Sequence, residues 1–139
     1  MALEHGVDVI YVSNHGGRQL DHGQSTVDIL REVVAAVDGK VPILIDSGFM
    51  RGTDILKALA LGADAVAIGR LQAWALAAGG APALIRALEI LEAEMTNAMG
   101  LIGVTALDQL TPRYVTDAPA VTAAHELGAL PLLGEDVRL

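Results

Sequence analysis

The chain is predicted to be an α/β protein built on a parallel sheet covered by helices. Two observations carry this prediction. Near-continuous apolar runs at residues 8–13, 41–46 and 65–69 alternate with amphipathic segments, the pattern of strands joined by helical crossovers. Each run also ends in a short turn bearing reactive or cationic side chains, and in parallel sheets ligands gather at the carboxyl ends of the strands.

The elements follow in order. Val9-Ile10-Tyr11-Val12 forms the heart of the first strand. Residues 25–37 read as a helix, with Ser25 and Asp28 as a capping box, an apolar stripe of Val27, Leu30, Val33, Val34 and Val37, and Gly39 at its end. The run VPILID is the second strand. Residues 53–61 form a second helix, with Thr53 as its cap and Gly62 as its stop. The run AVAIG is the third strand. Gly79-Gly80 reads as a break, and residues 82–97 as a longer helix with Leu84, Leu88, Leu91 and Met95 on one face and Pro82 near its start. Thr105 to Asp108 repeats a capping pattern and opens a short helix ending before Pro112. Residues 116–139 lack clear periodicity and are expected to form an irregular tail that drapes over a neighbour or is partly disordered. No linker or low-complexity run divides the chain.

Composition narrows the function. The 139 residues suffice for one domain with a core; 53% are hydrophobic and 19% charged, a globular balance. A net charge of −8 and a pI near 4.7 argue against nucleic acid and against anionic membrane surfaces. Without cysteine there is no disulfide, zinc–thiolate site or thiol catalysis. No uninterrupted apolar run approaches the ~20 residues of a membrane helix, and the first residues lack a secretory pattern, so a cytoplasmic location is expected.

The candidate site lies in three turns. After the first strand comes Ser13-Asn14-His15-Gly16-Gly17-Arg18-Gln19-Leu20-Asp21. His15 can exchange a proton near neutral pH, and Arg18 can grip a carboxylate with two parallel hydrogen bonds. The bland alternatives are a solvated loop histidine and an arginine paired with Asp21. After the second strand, Asp46-Ser47-Gly48-Phe49-Met50-Arg51 leads into a helix. Small residues there let backbone N–H groups approach a phosphate, the helix N-terminus favours the anion, and Arg51 adds a cation; alternatively the glycines serve only the turn. Gly69-Arg70 after the third strand is a second backbone-plus-cation feature. His5, His22 and His125 are read as surface residues. No metal site is expected, and Trp74 and Phe49 are too few for a base-stacking surface.

The segments SNHGGRQLD and DSGFMRGTDILKALALGADAVAIGR resemble the carboxyl-terminal part of the FMN-dependent α-hydroxy acid oxidases and dehydrogenases, the family of glycolate oxidase, lactate oxidase, lactate dehydrogenase and mandelate dehydrogenase. The resemblance covers residues 3–115. It implies the last three βα units (strands six to eight) of a TIM-type (β/α)8 barrel, with a tail after them. By resemblance, His15 is the base on the substrate hydroxyl and Arg18 binds the substrate carboxylate. Asp46, Ser47, Gly48, Phe49, Met50 and Arg51, with Gly69 and Arg70, line the FMN, chiefly at its phosphate. The implied reaction is oxidation of an L-2-hydroxy acid to a 2-oxo acid, by a protein that is a homo-oligomer when intact.

Two departures qualify this. Where the family has two consecutive arginines, this chain has Met50 and Arg51, so one phosphate contact is missing or comes from elsewhere, Arg70 being a candidate. The family's earlier strands carry further flavin and substrate contacts that are not among these residues. Three parallel strands cannot close a barrel. The implied partner is therefore a missing amino-terminal barrel portion, unless the chain self-associates or rearranges into a small open sheet. Two alternatives stay open: a non-catalytic fragment that binds phosphate or FMN weakly or assembles with a partner chain, and a different type of FMN barrel with no carboxylate requirement.

Overall fold

A β-strand places successive side chains on opposite faces, and this alternation decides which residues form the core. In a computed structural model that describes residues 1–20 and 22–118, the three apolar runs become β1 (Ile10–Val12), β2 (Ile43–Ile45) and β3 (Ala65–Val66). They form one parallel sheet in the order β1-β2-β3. The register pairs Ile10 with Ile43, Tyr11 with Leu44 and Val12 with Ile45, then Leu44 with Ala65. Val12, Ile43 and Ile45 are buried with Leu30 and Val37 of α1 (Thr26–Val37) and Ala58 of α2 (Gly52–Ala60). Leu30 and Ile45 are fully enclosed. The other face, with Tyr11 at 54% exposure, is open. Near-continuous apolar strands implied cover on both faces; among the described residues, helices cover one.

The helices start differently from expectation. Ser25 is the N-cap of α1 but makes no side-chain cap bond. The first helical amides use its carbonyl instead: Asp28 N–H donates to Ser25 O at 3.1 Å. Helix α2 begins at Gly52, one residue before the expected Thr53. Its cap is Asp54, whose Oδ2 accepts the N–H groups of Met50 and Arg51 at 3.2 and 3.0 Å. A carboxylate reaching back over the first turn meets both the orphan amides and the positive end of the helix. Near the chain's end, Gln109 rather than Asp108 closes the turn, accepting from Thr105 N–H at 2.9 Å and from Ala106 N–H at 3.4 Å. The short helices there, Leu107–Gln109 and Pro112–Tyr114, are 3-10 turns.

The third helical region matches the expectation in part. The span Arg70–Leu101, labelled α3, is two helices joined across a kink: the expected one follows Gly79-Gly80, and one that was not expected runs from Arg70 to the kink. The expected break is present within it: Gly79 and Gly80 leave helical geometry, Gly80 at φ 63°, just ahead of Pro82. Of the face drawn through Leu84, Leu88, Leu91 and Met95, only Leu91 is buried, and Leu88 is 49% exposed. By length and composition alone α3 is apolar enough to cross a membrane, although no uninterrupted apolar run in it reaches that length. The predicted tail, apart from residues 116–118, lies outside the described residues.

Helix α3 closes on α2 at Gly52. A Cβ there would lie 2.5 Å from Leu91 O and 2.7 Å from Met95 N, both backbone atoms that cannot step aside. Gly52→Ala is expected to destabilise the fold by about 3 kcal/mol. Gly100→Ala, where a Cβ meets nothing within 4 Å, is expected to be neutral or slightly stabilising. Urea unfolding of the two variants against the parent chain checks this.

Candidate active site

The parallel register brings the three turns to the same edge of the sheet. After β1 the chain makes a 3-10 turn over His15–Gly17. His15, Gly16 and Gly17 are all left-handed, at φ 56°, 66° and 73°. Glycine adopts this region freely, whereas histidine is held there by its surroundings. After β2, Ser47 and Gly48 are also left-handed, at φ 79° and 93°. After β3, Gly69 is the N-cap of α3 and Arg70 its first residue.

These turns enclose a cavity of about 430 Å³. Every predicted site residue except Arg51 lines it: His15 and Arg18; Asp46, Ser47, Gly48, Phe49 and Met50; Gly69 and Arg70. Phe49 is otherwise a core residue, 4% exposed. Arg70 reaches across from the end of β3 to the histidine turn. Its guanidinium nitrogens lie 4.0 Å from where a Cβ on Gly16 would be. Cβ positions built on Gly48 and Gly69 meet nothing within 4 Å, so unobstructed backbone faces the open space. The expected alternative partner of Arg18, Asp21, lies outside the described residues.

Arg51 does not join this cavity. Its Nε donates to Glu94 Oε1 at 2.8 Å, and a second guanidinium nitrogen lies 2.6 Å from the same oxygen. Glu94 Oε2 accepts Gly52 N–H at 2.7 Å. The Arg51 hydrogen bond and the Gly52 amide hold the Glu94 carboxyl below its usual range, and Glu94 raises the Arg51 guanidinium. The helix N-terminus that was expected to face a phosphate is therefore already occupied by a carboxylate. Arg51 is a clamp between α2 and α3, and Arg70 is the cation at that end of the cavity.

Asp46 is the most connected polar residue of the site. Ser47 Oγ donates to its Oδ1 at 2.6 Å and Tyr11 Oη to its Oδ2 at 2.8 Å, and the Ser13 hydroxyl lies close enough to favour the ionised form. Thr26, 2% exposed, donates Oγ1 to the Asp46 carbonyl at 2.6 Å. Partial burial pushes the Asp46 carboxyl up. The three hydroxyls and the nearby His15 outweigh that and leave it below the usual carboxylate range. Bonding to the carboxylate raises the Tyr11 phenol in turn. Tyr11, Ser13 and Thr26 escaped sequence reasoning. Tyr11 looked like an ordinary strand aromatic, although it is the one polar-tipped side chain in an aliphatic run. Thr26 was overshadowed by Ser25.

Comparisons with known proteins identify the family. A profile described as FMN-dependent dehydrogenase matches residues 1–117. The 2-hydroxyacid oxidase of Dictyostelium discoideum is 45% identical over 117 residues, 84% of this chain and 30% of that protein. The L-lactate oxidase of a Nostoc species is 48% identical over 114 residues, 82% and 31% of the two chains. Among solved structures, a lactate oxidase from Pediococcus acidilactici superimposes with a TM-score of 0.76 at 45% identity, covering 78% of this chain and 30% of that one. A soluble mutant of the membrane-associated (S)-mandelate dehydrogenase of Pseudomonas putida gives 0.76 at 44% identity, covering 81% and 32%. The chain thus spans about 30% of the length of the curated relatives it matches.

Asp46 gives the site a defined pH response. Its folded carboxyl is depressed, so its contribution to stability is complete above the unfolded value of about 3.9 and is lost as pH falls through the folded one. Carboxyl-selective NMR is expected to show Asp46 titrating below the ordinary aspartate value of about 3.9, and Tyr11→Phe to move that titration upward. An Asp46 carboxyl that titrates at or above that value contradicts this.

Proposed function

This chain belongs to the FMN-dependent dehydrogenase family, whose cofactor is FMN, and on that premise we propose that it forms the last three βα units of a TIM-type barrel and carries the base and the anion-binding groups of an L-2-hydroxy acid oxidoreductase. One observation carries the reading most. His15, Arg18 and Arg70 line a single cavity at the carboxyl ends of three parallel strands.

The residues present fit the phosphate end of FMN. Gly48 and Gly69 offer backbone with no side chain in the way, and Arg70 supplies a cation beside them. Bound FMN supplies a two-electron acceptor. Arg18 holds the substrate carboxylate in a bidentate bond and so fixes the α-carbon. A neutral imidazole nitrogen of His15 takes the hydroxyl proton, the α-hydrogen would leave with its bonding pair to that two-electron acceptor, and the carbinol becomes a carbonyl. The product is the 2-oxo acid, and the protonated His15 returns its proton to solvent.

The open sheet face and the 30% span support a site completed by further chain: a longer or complemented enzyme, in which lactate, glycolate or mandelate types of substrate are candidates. Residues 1–115 are the barrel portion in this reading and residues 116–139 its tail. The test is FMN retention after desalting, and turnover of L-lactate, glycolate and L-mandelate. Both are measured for the chain alone and complemented with the amino-terminal portion of a relative. A colourless, inactive protein in both settings favours the non-catalytic alternative.

Two substitutions sharpen the roles. In the active assembly, Arg18→Met is expected to lower kcat/KM by about 10²–10³-fold, the cost of leaving a desolvated carboxylate unpaired. A different FMN barrel with no carboxylate requirement predicts near-normal turnover from the same variant. Met50→Arg places a second guanidinium on the wall that Arg70 already lines, and is expected to tighten FMN binding about tenfold by equilibrium titration.

A further inference from the structure

A serine hydroxyl has one proton and two lone pairs. Once the proton is committed to a carboxylate, the oxygen can only accept. Ser47 commits its proton to Asp46 Oδ1 at 2.6 Å, and the Ser13 hydroxyl lies beside the same carboxylate. Both oxygens then accept from the backbone of one loop. Ser13 Oγ takes His15 N–H at 3.1 Å. Ser47 Oγ takes Gly16 N–H at 3.2 Å and Asn14 N–H at 3.4 Å. Ser47 thus links the amides of Asn14 and Gly16 to the Asp46 carboxylate, and Ser13 holds the His15 amide between them, in a turn where His15 and Gly16 are both left-handed.

We propose that Asp46 is the positioning residue of the His15 turn: by fixing the direction of the Ser13 and Ser47 hydroxyl protons it sets the backbone that carries the imidazole, and Tyr11 steadies the carboxylate from the open face of the sheet. The carboxylate is anchored at each point. Thr26 holds its backbone carbonyl, Ser47 and Tyr11 occupy opposite oxygens, and Ser13 comes from the end of the neighbouring strand. An ionised carboxylate is the one side chain of this size that accepts from three donors without offering one. An asparagine presents two N–H groups on one side, so a serine hydroxyl facing them must turn and release the amides it holds. The inference rests on the preceding reading only in taking His15 as the base.

Amide hydrogen exchange on the full chain, followed by NMR, tests it without requiring activity. Ser13→Ala is expected to speed exchange of His15 alone, and Ser47→Ala that of Asn14 and Gly16, each about tenfold. Asp46→Asn is expected to speed all three, and Tyr11→Phe all three severalfold. Ser13→Thr, which keeps the hydroxyl, is expected to restore His15 to the parent rate. The amides of Ile10, Asp46 and Ala67, bonded to Pro42, Val12 and Ile45 carbonyls, report whether the sheet survives.

Unchanged rates at the three loop amides in Asp46→Asn overturn the proposal, as does equal loosening of all three by either serine variant. If Asp46→Asn also frees the sheet amides, Tyr11→Phe decides, and no acceleration there overturns it. In the active assembly, Ser13→Ala is expected to lower kcat while KM holds, because Arg18 still grips the substrate; an unchanged kcat refutes the positioning role. Absence of hydroxy acid oxidation in the parent protein refutes the proposed function and leaves the exchange pattern to judge the hub.

Discussion

The parallel register of three short strands is the constraint on which everything else depends. A parallel ladder requires each strand to be re-entered from the same end, so every crossover helix must return the chain to its starting edge. The segments leaving the strands are thereby forced together at the opposite edge. His15 with Arg18, Asp46 with Ser47, and Gly69 with Arg70 are separated by tens of residues in sequence. They become neighbours because Ile10, Ile43 and their successors pair in step. A one-residue slip of β1 would exchange Tyr11 for Val12 on the open face and carry the histidine turn away from Asp46.

Charge is distributed with the same economy. The chain is acidic overall, at −8, yet the cavity gathers Arg18, Arg70 and His15 around one carboxylate. Hydroxyl donors and the nearby His15 stabilise that carboxylate, and among the described residues neither guanidinium is paired with it. Arg51 shows the opposite solution. It stands one residue from the cavity wall, but Glu94 on α3 claims it and also takes the Gly52 amide. The tight approach of α2 to α3 at Gly52 puts Glu94 within reach, so the packing of two helices decides which arginine can serve the site.

Much of this was legible in the sequence, and the failures have physical causes. Strand and helix order, and the convergence of the three turns, follow from hydrophobic periodicity and the geometry of parallel sheets. The helix starts went astray where tertiary partners override local caps: Asp54, three residues into the turn, does what Thr53 was expected to do. The helix before the break was missed because residues 70–78 carry no clear periodic signal, whereas the Gly79-Gly80 break and the helix after it were legible. The pairing of Arg51 with Glu94 was not legible because the partner lies 43 residues away, beyond any local pattern. The hydroxyl network around Asp46 was invisible for a related reason. Each of its members is ordinary alone, and only the register shows that Tyr11, Ser13 and Ser47 face one carboxylate.

Tyr11 ties the completeness of the fold to the quality of the site. Its ring sits on the uncovered face of the sheet, 54% exposed, while its hydroxyl holds Asp46. A hydrogen bond to a carboxylate competes with water when exposed and strengthens when the surroundings are dry. A segment that packs on the open face therefore does two things at once. It buries the Tyr11 ring, along with Val9 at 44% exposure, gaining about 25 cal/mol for each Å² of apolar surface removed from water. It also shields the Tyr11–Asp46 bond, which fixes the two serine hydroxyls and, through them, the backbone of His15. In the proposed reading, closing the barrel and setting the base are then one event, while the open face leaves the Tyr11–Asp46 hydrogen bond contested by water.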